Sequence, residues 1–255
     1  MGLTGTGVLP AALLIAAAAA VAYLPSFAAP FVFDDVPAIG GNPTIRHIAS
    51  ALRPPADTTV SGRPVLNLSL ALDYAAGGTA PWVYHATNLA IHILAALALL
   101  GIVRRTLGPR ALPVAFSVAL LWAVHPLNTE SVTYVIQRGE SLMGLLYLAT
   151  LYFFIRACGS EGNRARLWYA LSISSCFLGM GTKEVMASAP LIVLLYDRTF
   201  LSGSFASALR TRGKAYLGLA ASWILLGYLV LATHGRTGTV GFGAGISPLD
   251  YAQTQ

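Results

Sequence analysis

The chain has 255 residues, of which 56% are hydrophobic and 10% are charged, and its mean hydropathy is +0.67. These values exclude an ordinary soluble domain and are typical of a polytopic membrane protein. The formal net charge of +6 is divided among short loops, so it does not indicate a nucleic-acid-binding surface. The two cysteines, Cys158 and Cys176, do not have the spacing of zinc ligands.

Seven apolar stretches predict transmembrane helices, which makes the expected fold all-α. The first, residues 8–29, has the roughly 20 residues needed to cross a bilayer and is too long for a signal-peptide core. The others are residues 83–103, 111–124, 141–155, 167–181, 185–196 and 216–233. Several are short, and runs of about 10 to 14 residues also occur as re-entrant or buried segments. We therefore treat residues 1–255 as one transmembrane domain with about seven crossings.

The charged residues divide between the two sides that these crossings define. Most of the basic residues fall in the loops of one side, namely Arg104, Arg105, Arg110, Arg156, Arg164, Arg166, Arg198, Arg210, Arg212 and Lys214. By the positive-inside rule this side and the N-terminus are cytoplasmic. Most of the acidic residues fall on the opposite, extracytoplasmic side, which predicts a polar site there.

Two adjacent carboxylates, Asp34 and Asp35, follow the first predicted helix in the sequence Phe-Val-Phe-Asp-Asp. Ionised groups at the mouth of a membrane helix are costly and are kept mainly for function, so this pair is a candidate for catalysis. The alternative is a solvated helix end. The pair opens a long first extracytoplasmic loop, residues 30–82, and loops of this length are usually functional. Helical spacing of apolar residues at 45–52 and 65–72 predicts short interfacial helices within it.

The second predicted helix carries His85, Asn88 and His92 on one face, which must point into the protein. Such residues often form hydrogen bonds between membrane helices. Alternatively, His85 lines an external cavity and holds a polar ligand.

A dense polar run surrounds the junction of the third and fourth helices, from His125 and Glu130 to Arg138 and Glu140. The guanidinium of Arg138 is suited to bidentate binding of a lipid phosphate. Its structural alternative is an ion pair with Glu130 or Glu140. Further along, Lys183 and Glu184 form either a solvated turn or, through the lysine, a second phosphate ligand.

Taken in order, these polar residues resemble one known family. The set comprises Asp34, Asp35, the run Gly-Arg-Pro-Val that begins at Gly62, His85, Asn88, His92, His125, Thr129, Glu130, Arg138, Glu140, Lys183 and Glu184. In order and spacing it resembles the tetratricopeptide-repeat transmembrane O-mannosyltransferases and their bacterial relatives, which are membrane glycosyltransferases of the GT-C class. The resemblance extends over nearly the whole chain.

This resemblance implies an enzyme that moves a mannose-like sugar from a polyprenyl-phosphate carrier to a hydroxyl group of a protein or glycan. An aspartate of the Asp34–Asp35 pair would act as general base. Arg138 and Lys183 would stabilise the departing phosphate. The remaining members of the implied substrate-binding set are His85, His125, Glu130, Glu140 and Glu184. The resemblance favours catalysis without a metal or other cofactor, and a divalent cation is the alternative.

One departure from the family is that its members continue into further helices and tetratricopeptide repeats, whereas no repeat of about 34 residues occurs in this chain. We expect a truncated product or a fragment, with its acceptor-recognition part elsewhere. Two other functions compete with sugar transfer, namely a non-catalytic membrane scaffold and a small-solute transporter. The alanine-rich, lysine-poor composition suggests a GC-rich bacterium and hence a plasma or inner membrane.

Overall fold

The computed structural model of the protein describes residues 7–56 and 58–233, which form α-helices and short turns without strands. In this part of the chain the α-helices are α1 (Val8–Tyr23), α2 (Ile48–Ala51), α3 (Pro64–Gly77), α4 (Pro81–Leu107), α5 (Leu112–Ala123), α6 (Thr129–Thr133), α7 (Arg138–Cys158), α8 (Gly162–Met180), α9 (Ala189–Asp197) and α10 (Phe205–Ala232). The predicted all-α membrane fold is confirmed.

Fewer segments have the length and apolar composition of a membrane span than the seven that were predicted. In the described part of the chain five helical segments qualify, namely Val8–Ala28, Pro81–Leu107, Val135–Cys158, Glu184–Ser202 and Phe205–Ala232. A bent pair, Pro109–Ala123 with Pro126–Thr133, makes a sixth when it is counted as one span. The predicted crossing at residues 167–181 lies in α8 up to Met180, but the first turn and a half of this helix carries Arg164 and Arg166, and the helix does not qualify.

The bundle has two ends that differ in charge. At one end, which we call the basic end, Thr106 in the last turn of α4 shares a hydrogen bond of 2.7 Å with Tyr196 of α9. The connections after α4, α7 and α9 lie at this end, and they or the helix starts that follow them carry Arg110, Arg164, Arg166 and Arg198. At the other end, which we call the acidic end, the carboxylate of Asp35 accepts a hydrogen bond from the backbone of Ile136, just before α7. The long loop of residues 30–82 covers this acidic end.

The long loop is folded and contains the short helices that its apolar spacing predicted. Helix α3 buries Leu66 and Leu70 against the acidic ends of α4 and α7, in a core that includes Tyr84 and Ile136. Such burial of apolar surface fixes the loop on the bundle. The loop is therefore part of the protein core at the acidic end and not a flexible connection.

A pair of buried amides holds the loop in shape. The side chain of Asn42 donates to the side chain of Asn67 at 2.8 Å and accepts from the backbone and hydroxyl of Thr44. Asn67 in turn donates to the backbone carbonyl of Ala51 at 2.8 Å. Because buried polar groups are costly unless they are paired, this closed network stabilises one conformation of the loop.

Candidate functional site

The two candidate catalytic aspartates have different environments, although they are adjacent in the sequence. Asp35 is 1% exposed, and its two carboxylate oxygens accept hydrogen bonds from the backbone of Ile136 at 2.8 Å and of Val32 at 3.2 Å. Burial raises the pKa of Asp35, and the hydrogen bonds to the carboxylate partly offset that effect. Asp35 therefore ties the turn after α1 to the start of α7.

Asp34 is exposed and is presented by a strained turn. The preceding residue, Phe33, has a φ of 44°, in the left-handed region that residues other than glycine rarely occupy. Such strain is found at functional sites, where the surrounding structure holds it in place. The backbone N–H of Asp34 donates to the hydroxyl of Tyr134 at 3.0 Å, which fixes the turn against the segment between α6 and α7.

A cavity of about 650 Å³ lies beside this turn. Its walls come from the end of α1, the residues just after it, and the segment from the end of α5 to Tyr134. They are mainly apolar, with hydroxyl groups from Ser26, Thr129, Thr133 and Tyr134. Because Tyr134 both lines the cavity and accepts from the backbone N–H of Asp34, the backbone of Asp34 lies close to the cavity wall. Mixed apolar and hydroxyl walls suit a ligand with a lipid part and a polar part.

Arg138 is fully buried, with 0% of its side chain exposed. Its guanidinium forms an ion pair with Asp73 at 2.6 Å, and it donates to the side chain of Asn88 at 2.6 Å and to the carbonyl of Tyr84 at 2.9 Å. A fourth contact, of 3.2 Å, reaches the carbonyl of Ser69. The structural partner expected for Arg138 was Glu130 or Glu140, and the partner found is Asp73 of α3. In this structure the guanidinium of Arg138 is occupied by these protein groups. Its contact with a lipid phosphate stays a prediction.

The polar face of α4 is buried, as its spacing predicted. Asn88 bonds to Arg138 and donates to the carbonyl of Val132 at 3.2 Å, and His92 contacts the carbonyl of Ala123 at 2.8 Å. These hydrogen bonds connect α4 to neighbouring helices, which is one of the two interpretations that the sequence offered for this polar face. His85 is 1% exposed, with Nε2 at 3.2 Å from the carbonyl of Ala29. It is buried against the segment that follows α1 and is not on the surface.

Lys183 and Glu140 form an ion pair across the acidic ends of α7 and α8. Glu140 also lines a second cavity of about 250 Å³, together with His92, Asn128 and Ser131. Glu184 lies nearby and pairs with Arg63 of the long loop at 3.6 Å. Lys183 is thus a partly exposed cation whose partner, Glu140, lines a mainly apolar cavity at the acidic end.

His125 and Glu130 are exposed on the connection between α5 and α7. The ring of His125 accepts from the backbone of Leu127 at 3.2 Å, and Glu130 accepts from Gln137 at 3.2 Å. These contacts are local, and they place both side chains on the outer surface of the acidic end.

The candidate residues therefore form three groups at one end of the molecule. Asp34 and Asp35 lie in the turn that Tyr134, a residue of the first cavity, holds in place. Arg138 is buried with Asn88 and Asp73. Lys183 pairs with Glu140, which lines the second cavity, and Glu184 is adjacent to Lys183 in the chain. Their roles in substrate binding and catalysis stay predictions. The described part of the chain contains no group of three or more His, Cys, Asp or Glu side chains arranged to hold a metal ion.

Two residues that were not identified from the sequence complete these groups. Tyr134 positions Asp34, and Asp73 neutralises Arg138. Tyr134 belongs to the polar run before Arg138, but nothing in its spacing indicates a contact with a residue 100 positions earlier. Asp73 is an acid on the apolar helix α3, and a single charge on such a helix was a signal that it has a buried partner.

Comparisons with known proteins give one consistent group of relatives. The chain is 30% identical to protein O-mannosyl-transferase TMTC2 of Homo sapiens over 170 residues, which is 62% of this chain and 19% of that protein. It is 32% identical to TMTC1 of Homo sapiens over 221 residues, 78% of this chain and 25% of that protein. It is 28% identical to TMTC3 of Mus musculus over 238 residues, 86% of this chain and 25% of that protein.

The resemblance identified from the ordered polar residues is confirmed by these matches. The chain spans between 19% and 25% of the length of these three relatives. No protein-family model matches the chain, and no solved structure matches it.

Proposed function

Because this chain is related over most of its length to the TMTC protein O-mannosyl-transferases, we propose that it is a membrane glycosyltransferase. It moves a mannose-like sugar from a polyprenyl-phosphate carrier to a hydroxyl group of an acceptor, most simply a serine or threonine of a protein. The reaction takes place at the acidic end, which faces the extracytoplasmic side of a plasma or inner membrane. The N-terminus and the basic end face the cytoplasm, in keeping with the positive-inside rule.

The observation that carries this proposal is the exposed Asp34 in a turn held by Tyr134, which lines a cavity with apolar and hydroxyl-bearing walls. A general base must lie within hydrogen-bonding reach of the proton that it removes. Asp34 is our candidate for this base, because its side chain is accessible to an acceptor while its backbone is held by Tyr134. Asp35 does not compete for the role in this geometry, because backbone N–H groups occupy both of its oxygens.

The proposed reaction is a single displacement at the anomeric carbon of the sugar. The acceptor oxygen forms a bond to that carbon, and its proton passes to the carboxylate of Asp34. The bond from the same carbon to the carrier phosphate breaks, and the phosphate leaves with the bonding electrons. Phosphate is a stable leaving anion, so the reaction as proposed includes no metal.

We assign stabilisation of the departing phosphate to Lys183, whose ammonium group is partly exposed and is paired with Glu140 at the second cavity. Cations aimed at developing negative charge are among the strongest contributions to catalysis. Arg138 does not contact the substrate in this proposal. It stabilises the site by holding α3, α4 and α7 together. The isoprenoid part of the carrier lies along apolar residues of the first cavity such as Pro25, Val32 and Val124.

The donor class is tested with the full chain in lipid nanodiscs, an acceptor peptide rich in serine and threonine, and isotope-labelled mannose. We expect label in the peptide when the donor is polyprenyl-phosphate mannose and none when it is GDP-mannose, as measured by mass spectrometry of the peptide. Empty nanodiscs provide the background. Equal labelling from GDP-mannose would contradict the proposed donor. Consumption of neither donor by a folded protein would contradict the enzyme and favour the scaffold.

A further inference from the structure

The second cavity, of about 250 Å³, lies beside a break in a membrane helix. The segments Pro109–Ala123 and Pro126–Thr133 together have the composition of one span, but they are bent by 51° relative to each other. Trp122, Leu127 and Asn128, which flank the bend, all line the cavity.

The break lies deep in the bundle. The carbonyl of Ala123, at the end of α5, is 2.8 Å from Nε2 of His92 in α4. Trp82, in the first turn of α4, is 57% exposed, and exposed tryptophans mark the membrane–water interface. At 1.5 Å per residue, His92 lies about 15 Å further along this helix. Irregular backbone at such a depth is tolerated only where it is buried in protein or lines a water-filled cavity, so we expect the second cavity to admit water and polar ligands.

His92 and Asn128 each use a donor to hold the break and keep an acceptor. A carbonyl only accepts, so the hydrogen of the neutral His92 ring is on Nε2, and Nδ1 has a lone pair to share. The side-chain amide of Asn128 donates to the carbonyl of Trp122 at 2.7 Å, which leaves its Oδ1 as an acceptor. Neither acceptor has a hydrogen-bond partner among the described residues.

Ser131 and Glu140 have a similar arrangement. The hydroxyl of Ser131 donates to the carbonyl of Asn128 at 2.9 Å, and its oxygen retains lone pairs. One carboxylate oxygen of Glu140 accepts from Lys183, and the other accepts from no group in the described part of the chain. These side chains therefore present acceptors to a ligand, with the second amide hydrogen of Asn128 as their one remaining donor.

A wall of acceptors suits a ligand that is rich in hydroxyl groups, because each hydroxyl can donate one hydrogen bond. A phosphate group offers mainly acceptor oxygens and does not match this wall. A cation matches it less well than hydroxyl groups do, because Lys183 already neutralises Glu140 and the rest of the wall is mainly apolar.

The size and the apolar part of the cavity suit a single sugar ring. The wall includes Ala95, Trp122, Leu127 and Gly144, which can pack against the carbon–hydrogen faces of the ring. The volume of about 250 Å³ lies below the roughly 300–1,000 Å³ of sites for drug-sized ligands. At Gly144, in the interior of α7, an added Cβ would meet no neighbouring group within 4 Å, so this glycine leaves room in the cavity.

We propose that the second cavity holds the sugar of the lipid-linked donor, whose hydroxyl groups donate to His92, Asn128, Ser131 and Glu140. This inference rests on the proposed function and adds the part of the protein that recognises the sugar. Lys183, which we assign to the departing phosphate, pairs with Glu140 of the cavity wall. The phosphate and the sugar to which it is bonded thus occupy adjacent sites.

The test fills the cavity from Gly144 and measures the binding of two lipids, mannosyl farnesyl phosphate and farnesyl phosphate, to the purified full chain in uncharged detergent. The variants are Gly144→Ala and Gly144→Leu. The matched controls are Gly227→Ala and Gly227→Leu, since Gly227 lies in the interior of α10, is exposed, has no neighbour within 4 Å of an added Cβ and does not line the cavity. Alanine at either position should raise the thermal midpoint slightly, because glycine is unfavourable in a helix interior.

We expect Gly144→Leu to bind mannosyl farnesyl phosphate at least about tenfold more weakly than wild type, because it overfills the cavity. Gly144→Ala should show a smaller loss without any loss of stability. Farnesyl phosphate should bind to all variants within about twofold of wild type, and both Gly227 variants should bind both lipids normally.

Wild-type affinity of Gly144→Leu for the sugar-bearing lipid would overturn the sugar site and leave the proposed function standing. Equal weakening of both lipids would also overturn it, since the cavity would then hold the carrier or its phosphate. The expected binding pattern without sugar transfer by the wild type would contradict the proposed function and support the site. Saturable binding of neither lipid by the wild type would contradict both.

Discussion

Replacement of Arg138 by methionine is expected to lower the free energy of unfolding by about 3–5 kcal/mol, the usual cost of removing one partner from a buried ion pair. The carboxylate of Asp73, 7% exposed, would lose the guanidinium that lies 2.6 Å away. The side chain of Asn88 and the carbonyl of Tyr84 would also lose a hydrogen bond each. The measurement is a denaturation curve of the purified protein in detergent micelles.

The matched control is Arg63→Met, because Arg63 pairs with Glu184 at 3.6 Å, with 19% and 47% of the two side chains exposed. Partly exposed pairs contribute about 0–1 kcal/mol. The double variant Arg138→Met with Asp73→Asn should recover part of the stability, since no buried carboxylate is then left unpaired. Equal effects of Arg138→Met and Arg63→Met would show that Arg138 does not hold the acidic end together.

The second large effect is expected for Asp35→Ala, which should reduce both stability and sugar transfer. The backbone N–H of Ile136 is buried and would lose its acceptor, at a cost of about 1–3 kcal/mol. The turn that presents Asp34 would also lose its link to α7, and small displacements of a catalytic group reduce rates by about 100-fold. We therefore expect Asp35 to act as a positioning residue for Asp34.

The conservative variant Asp35→Asn separates these effects, since its amide oxygen still accepts from Ile136 while the carboxylate charge is gone. We expect it to retain most of the stability and much of the transfer activity that Asp35→Ala loses. The readouts are the thermal midpoint and the transfer rate for both variants. Unchanged transfer in a destabilised Asp35→Ala would contradict the positioning role.

The sequence was sufficient to predict the membrane class and the family. Long apolar runs report directly on the bilayer, because unpaired backbone groups cannot lie in hydrocarbon and helices satisfy them locally. The short helices of the long loop also followed from spacing, since α3 carries Leu66 and Leu70 on one face. The predicted number of crossings was too high by this measure, because α8 has the length of a span but contains arginines and serines.

The arrangement of the candidate site could not be predicted in the same way. Asp34 and Asp35 are identical side chains with nearly the same neighbours in the sequence. Only the fold decides that Asp35 is buried and Asp34 is exposed. Glu130 and Glu140 lie eight residues before and two residues after Arg138, and this closeness in the sequence suggested them as its partners. The partner that the fold supplies, Asp73, is on another helix. Its identity depends on how α3 packs on α4 and α7.

The most direct test of this account is sugar transfer by Asp34→Asn, measured beside wild type with the same lipid-linked donor and peptide. Asparagine keeps the size of the side chain but is not a base, and general bases contribute about 10²–10⁴-fold. The control is Glu161→Gln, an exposed carboxylate at the basic end. We predict that Asp34→Asn melts and binds donor like wild type while its transfer rate falls by about that factor, and that Glu161→Gln is unaffected. Transfer by Asp34→Asn at the wild-type rate would contradict the assignment of Asp34 as the catalytic base.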